Sequence, residues 1–524
     1  MTKRWLLLRV VLKGMFSSML KVIDKLIDSL TMYRLLLYYL TGLLVAAIGL
    51  SVFGDLHYKP LYIALSAAIL LGACWIINKV FAYIFKAPVN PESSLITALI
   101  LALIISPDPT GFNILFLLAA SGLAIASKYL ITFRGKHIFN PAAVAVVLTA
   151  LGPRQTASWW VGTAAMLPFV LIGGLLIMRK IRRERMIMSF FVATTLSTAF
   201  YSIISKVSLT SSLHNMVLSS SIFFLGFVML TEPLTSPSTA KKQTWYAVIV
   251  GFLLPPQVHL FNYYTTPELA LIIGNAFSYL VSPKTKLFPT LKQKIKIAAD
   301  TADFIFNPNQ KFAYQPGQYL EWTLPHDKSD SRGSRRYFTL ASSPTEPDLR
   351  IGIKFYDKSS SFKEALLDAD EDTPIVAAQL AGDFVMPKNP SKKLVFIAGG
   401  IGITPFRSMV KYLIDKDEKR TVTLLYSART EESLAYRSVF EVAQARLGIK
   451  TIYTITDPKA KLTDSNAIPG TITGELIEQS VPDYLERVFY VSGTHPMVEA
   501  MQRILSDLGV SKSNIKIDFF PGYA

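Results

Sequence analysis

Ten apolar stretches between residues 35 and 281 constrain the fold of this 524-residue chain more than any other feature. They occupy residues 35–53, 60–80, 93–106, 114–130, 139–152, 160–178, 187–204, 214–230, 244–258 and 267–281. A helix needs about 20 apolar residues to cross a bilayer, and several stretches are shorter, which is typical of helices that line a site inside a membrane protein. The sequence therefore predicts a multi-span α-helical membrane domain of about 10 helices.

The distribution of basic residues indicates how these helices are oriented. The formal net charge is +17, and Lys and Arg concentrate in loops that follow even-numbered stretches, above all in residues 179–185, RKIRRER. The positive-inside rule places these loops and both termini in the cytoplasm, as in a multi-pass protein of the plasma (cell) membrane. Because the basic residues lie at the ends of apolar segments, they favour a lipid bilayer as partner, and we expect no nucleic-acid partner.

The N-terminal segment and the few cysteine and histidine residues limit which membrane contacts and metal sites the chain can form. Residues 1–34 alternate apolar and basic residues at helical spacing, which predicts an amphipathic segment on the membrane surface. The single cysteine, Cys74, excludes an internal disulfide and an iron–sulfur cluster, which needs about four thiolates. The six histidines form no pair on a shared apolar stretch, so neither stacked haems nor another metal site is expected.

After residue 283 the pattern becomes that of a water-soluble protein. Short β-rich runs over residues 286–388 predict an antiparallel β-barrel, and alternating strands and helices over residues 389–524 predict an α/β nucleotide-binding domain. We therefore expect four regions, which are residues 1–34, 35–285, 286–388 and 389–524.

Two motifs in this half are candidate phosphate and flavin contacts. The first is a strand of four residues: Arg336, Tyr337, Phe338 and Thr339. A guanidinium can clamp a pyrophosphate, and the threonine hydroxyl three residues along can bond a flavin ring. Three serines begin a predicted helix, where free N–H groups suit phosphate: Ser359, Ser360 and Ser361. An exposed arginine on a barrel strand and a serine-capped helix are the alternative interpretation.

The second motif is a glycine-rich loop between a strand and a helix. Its candidate cofactor-binding residues are Gly399, Gly400, Gly402, Thr404 and Pro405. Glycines let the backbone approach a pyrophosphate, and the positive end of the helix favours its charge.

With both motifs in this order, residues 290–524 resemble the ferredoxin–NADP reductase superfamily. The resemblance implies an FAD site, NADPH or NADH as donor, and roles for Thr339 and Ser492 next to the reacting rings. The late family motif reads SGTHPM, so Ser492 replaces the usual cysteine and is followed by Gly493. A C-terminal aromatic often covers the flavin in this family, which makes Phe520 or Tyr523 a candidate, with a frayed terminus as the alternative for Tyr523. Arg429 is either a partner for a 2′-phosphate or a solvated arginine.

Two loops of the membrane half resemble those of the membrane flavin proteins in the Rnf complex and in the sodium-translocating NADH:quinone reductase. These loops read GKHIFNP, from residue 135, and TEPLTSPST, from residue 231. The resemblance covers about residues 30–283 and implies FMN or riboflavin near Lys136, His137, Asn140, Thr235 and Thr239. Such membrane flavin proteins also attach FMN to a threonine in an outer loop. That loop is nearly absent here, which leaves Thr163 and Thr156 as candidates.

Together these features predict a membrane flavoprotein oxidoreductase. Electrons would pass from cytoplasmic NAD(P)H through FAD to a membrane flavin, and on to a quinone or an extracytoplasmic acceptor. A membrane-tethered NAD(P)H:quinone reductase without transmembrane transfer is the alternative, and a transporter with a redox-sensing domain is a third. Acidic residues such as Glu232 and Glu268 lie at segment ends, so ion pumping by this chain alone is not expected. A homo-oligomer is compatible with the sequence.

Overall fold

The computed structural model describes residues 27, 30–85, 91–133, 136–152, 155–219, 221–260, 263–282, 285–327, 329–330 and 333–518. These form two compact units, Met1–Lys284 and Thr285–Ala524. Most of the predicted amphipathic segment, residues 1–34, lies outside the described residues. Phe520 and Tyr523 also lie outside them.

In the first unit, each of the ten apolar stretches coincides with helical structure. The helices are α1 Met32–Val52, α2 Pro60–Ile84, α3 Pro91–Ile104, α4 Phe112–Leu130, α5 Pro141–Leu151, α6 Leu167–Ile181, α7 Glu184–Ile204, α8 Leu209–Leu218, α9 Ile222–Phe224 with the π-helical turn Leu225–Met229, α10 Ala240–Leu253 and α11 Pro267–Val281. Proline and a capping side chain fix the start of two short helices. Asn140 caps α5 and Thr266 caps α11, each followed directly by proline.

The number of membrane-crossing helices is smaller than the prediction. Within the described ranges, α1, α2, α4 and α7 are long and apolar enough to cross a bilayer, and the pair from Leu209 to Met229, bent by 57°, would make a fifth. Helices α3, α5 and α11 are apolar but shorter. The helical membrane body is therefore present, whereas a count of about ten spans is not confirmed.

Two neighbouring helices, α7 and α10, meet closely in the interior of this unit. A Cβ atom on Gly251 of α10 would lie 2.6 Å from the carbonyl oxygen of Phe190 on α7, so only glycine allows these backbones to approach. Two small hairpins complete the unit, β1 Thr132–Phe133 with β2 Lys136–His137, and β3 His259–Leu260 with β4 Tyr263–Tyr264. The first hairpin carries the GKHIFNP loop to the start of α5.

The antiparallel part of the second unit consists of two three-stranded sheets. The sheet of order β5-β6-β9 contains Thr290–Ala298, Thr301–Asn307 and Leu349–Lys354, and the sheet of order β10-β7-β8 contains Val376–Ala381, Tyr319–Thr323 and Arg335–Thr339. Large side chains from both sheets, including Phe306 and Trp322, form one buried core. The strands are antiparallel as predicted, but their ladder does not close among the described residues, so a barrel is not confirmed. Helix α12, Ser361–Asp368, follows β9.

The remainder of this unit is a parallel six-stranded sheet, as the alternation of strands and helices predicts. Its order is β14-β13-β12-β11-β15-β16, formed by Ala467–Pro469, Lys450–Ile455, Val422–Ala428, Leu394–Gly399, Val488–Ser492 and Ile515–Asp518. Its helices are α13 Thr404–Lys416, α14 Arg437–Leu447, α15 Gly474–Ser480 and α16 His495–Asp507. The chain builds outward from β11 to β14 and then returns to the other side of β11, which makes the carboxyl ends of β11 and β15 the expected ligand crevice.

Candidate functional site

A cleft of about 730 Å³ opens at this crevice. Cofactor pockets typically have roughly 300–1,000 Å³, so its volume lies in the range of cofactor pockets. One wall comes from the antiparallel sheets and the other from the carboxyl ends of β11, β12 and β15. The sequence-predicted residues that line it are Arg336, Tyr337, Phe338, Thr339, Ser360, Gly399, Gly400, Gly402, Thr404, Arg429, Ser492 and Gly493.

The antiparallel wall presents a cation held in a fixed orientation. The Arg336 guanidinium donates to Asp330 Oδ1 at 3.1 Å and to the Gly333 carbonyl at 2.9 Å, and it lies 5.4 Å from the centre of the Phe362 ring. Thr339, at the end of the same strand, is buried at the floor of the cleft. This strand therefore offers a bidentate anion-binding group and a hydroxyl in the order that the sequence motif predicts.

The three serines differ in their surroundings. Only Ser360 lines the cleft. The Ser359 hydroxyl accepts from the backbone N–H of Tyr356 at 3.2 Å, and the Ser361 hydroxyl bonds His326 and the backbone N–H of Asp330 at 2.9 Å each. The Ser359 hydroxyl thus stabilises a local turn, whereas the Ser361 hydroxyl joins the start of α12 to the segment around His326 and Asp330. A phosphate-binding role of the three serines stays a prediction.

Three further residues line this wall that the sequence analysis did not predict. Lys354, Tyr356 and Lys363 all line the cleft. Lys354 Nζ lies 2.7 Å from Asp300 Oδ2, and Lys363 Nζ lies 4.9 Å from the centre of the Tyr356 ring. The run IKFYDKSSSFK, which alternates basic and aromatic residues around the serines, was the signal that could have revealed them.

The backbone of the opposite wall favours glycine at two positions. A Cβ atom on Gly402 would lie 2.4 Å from the backbone oxygen of Ser492, so the loops after β11 and β15 can touch only with glycine there. Gly400 has a φ of +52°, which disfavours other residues. Thr404 begins α13 beside these glycines, whereas Pro405 is buried in the first turn of that helix and is not part of the cleft surface.

Arg429 lies at the carboxyl end of β12, at one end of the cleft. Its side chain is 79% exposed, and its Nε atom is 3.8 Å from Asp457 Oδ2. Ser427 and Thr456 line the cleft next to it. This end combines an exposed cation with two hydroxyl groups, which suits an anionic group on a ligand.

The sequence-predicted loops of the first unit meet at one carboxylate. Glu232 accepts a hydrogen bond from Asn140 Nδ2 at 2.9 Å and from the Thr235 hydroxyl at 3.0 Å, and its Oε1 lies 3.4 Å from His137 Nε2. The backbone N–H of Asn140 also donates to Asn275 Oδ1 at 2.8 Å. The GKHIFNP and TEPLTSPST loops are therefore joined through Glu232, a residue to which the sequence assigned no role.

The clefts that the described residues form around this cluster are small. Asn140 and Glu232 line a cleft of about 40 Å³, and Lys136, His137 and Thr235 line another of about 20 Å³. Amide, imidazole and hydroxyl groups suit the polar edge of a flavin ring, but both volumes are far below the roughly 300 Å³ of the smallest typical cofactor pockets.

The remaining threonine candidates do not line the two clefts around Glu232. Thr239 precedes α10 without capping it through its side chain, and the hydroxyl of its neighbour Ser238 lies 2.7 Å from that of Ser282 after α11. Thr163 follows a short 3₁₀ helix, Trp160–Gly162, and its buried hydroxyl has no hydrogen-bond partner among the described residues. Thr156 is exposed.

Comparison with known proteins accounts for both units. Residues 159–286 match the model of the NQR2, RnfD, RnfE family, and residues 396–503 match that of the oxidoreductase NAD-binding domain. This chain is a fusion of two protein families. Its first unit contains a segment similar to the NQR2, RnfD, RnfE family, and its second unit contains a segment similar to the oxidoreductase NAD-binding domain.

Known relatives share only part of their length with this fusion protein. It is 27% identical over 209 residues to the flavohemoprotein of Bacillus subtilis (strain 168), covering 40% of this chain and 51% of that protein. It is 29% identical over 220 residues to the stachydrine N-demethylase reductase subunit Stc4 of Rhizobium meliloti (strain 1021), covering 41% of this chain and 61% of that protein. The solved structure of the FAD/NAD-binding domain of nitric oxide dioxygenase from Vibrio cholerae matches with 21% identity and a TM-score of 0.40. The match covers 45% of this chain and 98% of that structure. The fusion protein thus spans about half to three fifths of these curated relatives.

Proposed function

We propose that the fusion protein takes electrons from NAD(P)H in its reductase unit and delivers them, through FAD, to an acceptor in or across the membrane. The observation that carries this proposal is the single cleft that brings the Arg336–Thr339 strand to face the Gly399–Thr404 loop and Ser492. An electron-donating site of this kind on an Rnf-type membrane domain has its natural acceptor in that domain or beyond it.

The residues of the cleft divide between two ligands. Arg336 would hold the FAD pyrophosphate, with Tyr337, Phe338 and Ser360 along the same wall, and Thr339 would bond the ring. The glycine loop and the start of α13 would hold the NAD(P)H pyrophosphate, because their free N–H groups favour anions. Ser492 and Gly493 would close the nicotinamide side. When bound, FAD accepts a hydride from NAD(P)H and releases the electrons singly.

The choice between NADH and NADPH would lie with Arg429. Its weak contact with Asp457 leaves it able to pair with a 2′-phosphate, which would favour NADPH. Tyr523 remains a candidate for covering the flavin.

For the membrane unit we propose a multi-pass arrangement in the plasma membrane with both termini in the cytoplasm, as the basic loops favour. FMN or riboflavin near Lys136, His137, Asn140, Thr235 and Thr239 remains a proposal, because the clefts that the described residues form there are smaller than a flavin ring. Thr163 or Thr156 as an attachment point, and a homo-oligomer, are likewise proposals.

Cofactor analysis and anaerobic reduction test the function. The purified chain, once denatured, should release FAD, and NADPH or NADH should bleach the flavin absorbance of the intact protein without oxygen. Protein that carries no FAD, or whose flavin neither nucleotide reduces, would contradict the proposal.

A membrane-tethered NAD(P)H:quinone reductase is the second candidate. The small volume of the described clefts near Glu232 favours it, because transfer across the ~30 Å hydrocarbon core needs an electron carrier inside the membrane unit. A preparation that holds FAD alone and reduces only lipid-soluble quinones would support this candidate.

A further inference from the structure

One buried hydrogen bond connects the parallel sheet to the antiparallel sheets directly behind the cleft. Tyr436, in the residue before α14, donates from its hydroxyl to Asp303 Oδ1 at 2.8 Å. Asp303 lies on β6 with its side chain fully buried, and Tyr436 is buried as well. Burial raises the pKa of Asp303, although the bonds from Tyr436 and Arg350 lower it in part, and burial beside this carboxylate raises the pKa of Tyr436 well above its usual value.

This bond lies against the cleft wall itself. Asp303 pairs with Gly352 across the ladder between β6 and β9, and Gly352 lines the cleft. A Cβ atom on Gly352 would lie 2.4 Å from the Tyr436 hydroxyl oxygen. The tyrosine hydroxyl therefore supports the wall from behind, at a point that only glycine leaves open.

The contact continues into a network of buried and half-buried charged residues. Arg350 donates to Asp303 Oδ2 at 3.1 Å and lies 3.4 Å from Glu346, and Arg407 of α13 donates to Glu346 Oε1 at 2.9 Å and to the Ala341 carbonyl at 2.9 Å. Arg407 follows the start of α13 by three residues. The network thus links the helix that begins at the nucleotide loop to the strands that carry the flavin motif.

Tyr436 is also held in a costly backbone conformation. Its φ is +59°, in the left-handed region that bulky residues rarely adopt. Such strain persists only where surrounding contacts impose it. The contacts of its hydroxyl with Asp303 and Gly352 are the ones that would impose it here.

We propose that Tyr436 and Asp303 are positioning residues, which set the separation between the flavin-bearing strands and the nucleotide loop and so set the rate of hydride transfer. This inference rests on the proposed function. Hydride transfer needs reacting atoms about 3–3.5 Å apart, and a misplacement of about 1 Å costs on the order of 100-fold in rate. Neither residue lines the cleft, so neither contributes directly to the affinity for FAD or NAD(P)H.

The test compares two tyrosine variants of the full-length protein loaded with FAD. Tyr436→Phe removes only the hydroxyl that bridges the sheets. Tyr426→Phe is the matched control, because Tyr426 is also buried but its hydroxyl accepts from the N–H of Ala435, within the parallel-sheet part. Stopped-flow mixing with saturating NAD(P)H should show flavin reduction slowed about tenfold or more in Tyr436→Phe and unchanged in Tyr426→Phe.

Affinity measurements and a second variant separate positioning from a structural role. FAD content and the Kd for NAD(P)H should be unchanged in Tyr436→Phe. Asp303→Asn should also slow flavin reduction, and the double variant should be no slower than the slower single variant, because both act through one bond. An unchanged reduction rate in Tyr436→Phe, or lost FAD with a normal rate in the protein that remains loaded, would overturn the inference alone. A wild type that NAD(P)H does not reduce would overturn the proposed function and this inference together.

Discussion

Asn140 donates a 2.9 Å hydrogen bond to Glu232, a residue 92 positions further along the chain. This bond, together with those from Thr235 and His137, joins the two loops that most resemble the Rnf-type membrane flavin proteins. Because the partners meet at a single carboxylate, Glu232 decides whether the two loops keep their relative positions.

Replacement of Glu232 by alanine should disconnect these loops without affecting the reductase unit. Hydrogen bonds to a charged group contribute about 1.5–3 kcal/mol each, so their loss should loosen the cluster. We expect Glu232→Ala to keep its FAD and to reduce added ferricyanide with NAD(P)H at the wild-type rate, but to lose at least tenfold in electron delivery to a membrane acceptor. The exposed Glu184 provides the control variant Glu184→Ala. Normal delivery in Glu232→Ala would separate these loops from the electron path.

Removal of the Arg336 guanidinium should weaken FAD binding. The loss of charge-assisted bonds to the pyrophosphate predicts roughly 10- to 100-fold weaker binding. Arg336→Ala should therefore be purified with less FAD, and NAD(P)H oxidation should recover when excess FAD is added. Arg335→Ala, which alters the adjacent residue outside the cleft lining, is the control. Full FAD occupancy in Arg336→Ala would exclude Arg336 as the anion-binding group.

A methyl group at Gly402 should separate the loops after β11 and β15. The new Cβ atom would lie 2.4 Å from the Ser492 backbone oxygen, so the backbone must shift. Gly402→Ala should raise the KM for NAD(P)H at least tenfold while FAD content stays normal, because a shift of about 1 Å is enough for such an effect. Gly474→Ala is the control, since its Cβ atom would have ordinary contacts of 3.6 Å. An unchanged KM in Gly402→Ala would place the nucleotide elsewhere.

The acid stability of the reductase unit should depend on Asp483. Partial burial raises its pKa, but hydrogen bonds from Arg487 and Lys393 outweigh burial and lower the pKa to about 2. A carboxyl group whose pKa is lower in the folded state stabilises the fold above its unfolded pKa of roughly 4 and loses this contribution as the pH falls to about 2. Asp483→Asn should thus lower the unfolding temperature of this unit at neutral pH, with the difference from wild type vanishing near pH 2. A difference that is independent of pH would contradict this assignment.

Local patterns in the sequence predicted much of this molecule, and long-range pairing explains the rest. The apolar stretches match the helices because burial in lipid leaves a direct record in hydropathy, but their number of crossings depends on helix length and bending, as between Leu209 and Met229. The strands of the antiparallel part were predicted from their own residues. Whether they close into a barrel depends on partners far apart in the chain, such as Leu287 and Ala377.

In the candidate sites, too, local motifs could be predicted from the sequence and long-range contacts could not. Arg336 and Gly402 belong to continuous motifs, and both line the cleft as their spacing predicts. Glu232 escaped notice because its partners lie up to 95 residues away, and an acid at the end of an apolar stretch is ordinary. Tyr436 and Asp303, 133 residues apart, carry no local signal at all.

Reduction of an acceptor sealed inside proteoliposomes tests transmembrane electron transfer. The full-length protein is reconstituted in quinone-free lipid with ferricyanide trapped inside, and NAD(P)H is added outside, where it meets only the outward-facing reductase units. We predict that the trapped ferricyanide is reduced, and that Glu232→Ala abolishes this reduction while leaving that of external ferricyanide intact. If the wild type reduces external ferricyanide but leaves the trapped ferricyanide oxidised, electrons do not cross the bilayer through this protein.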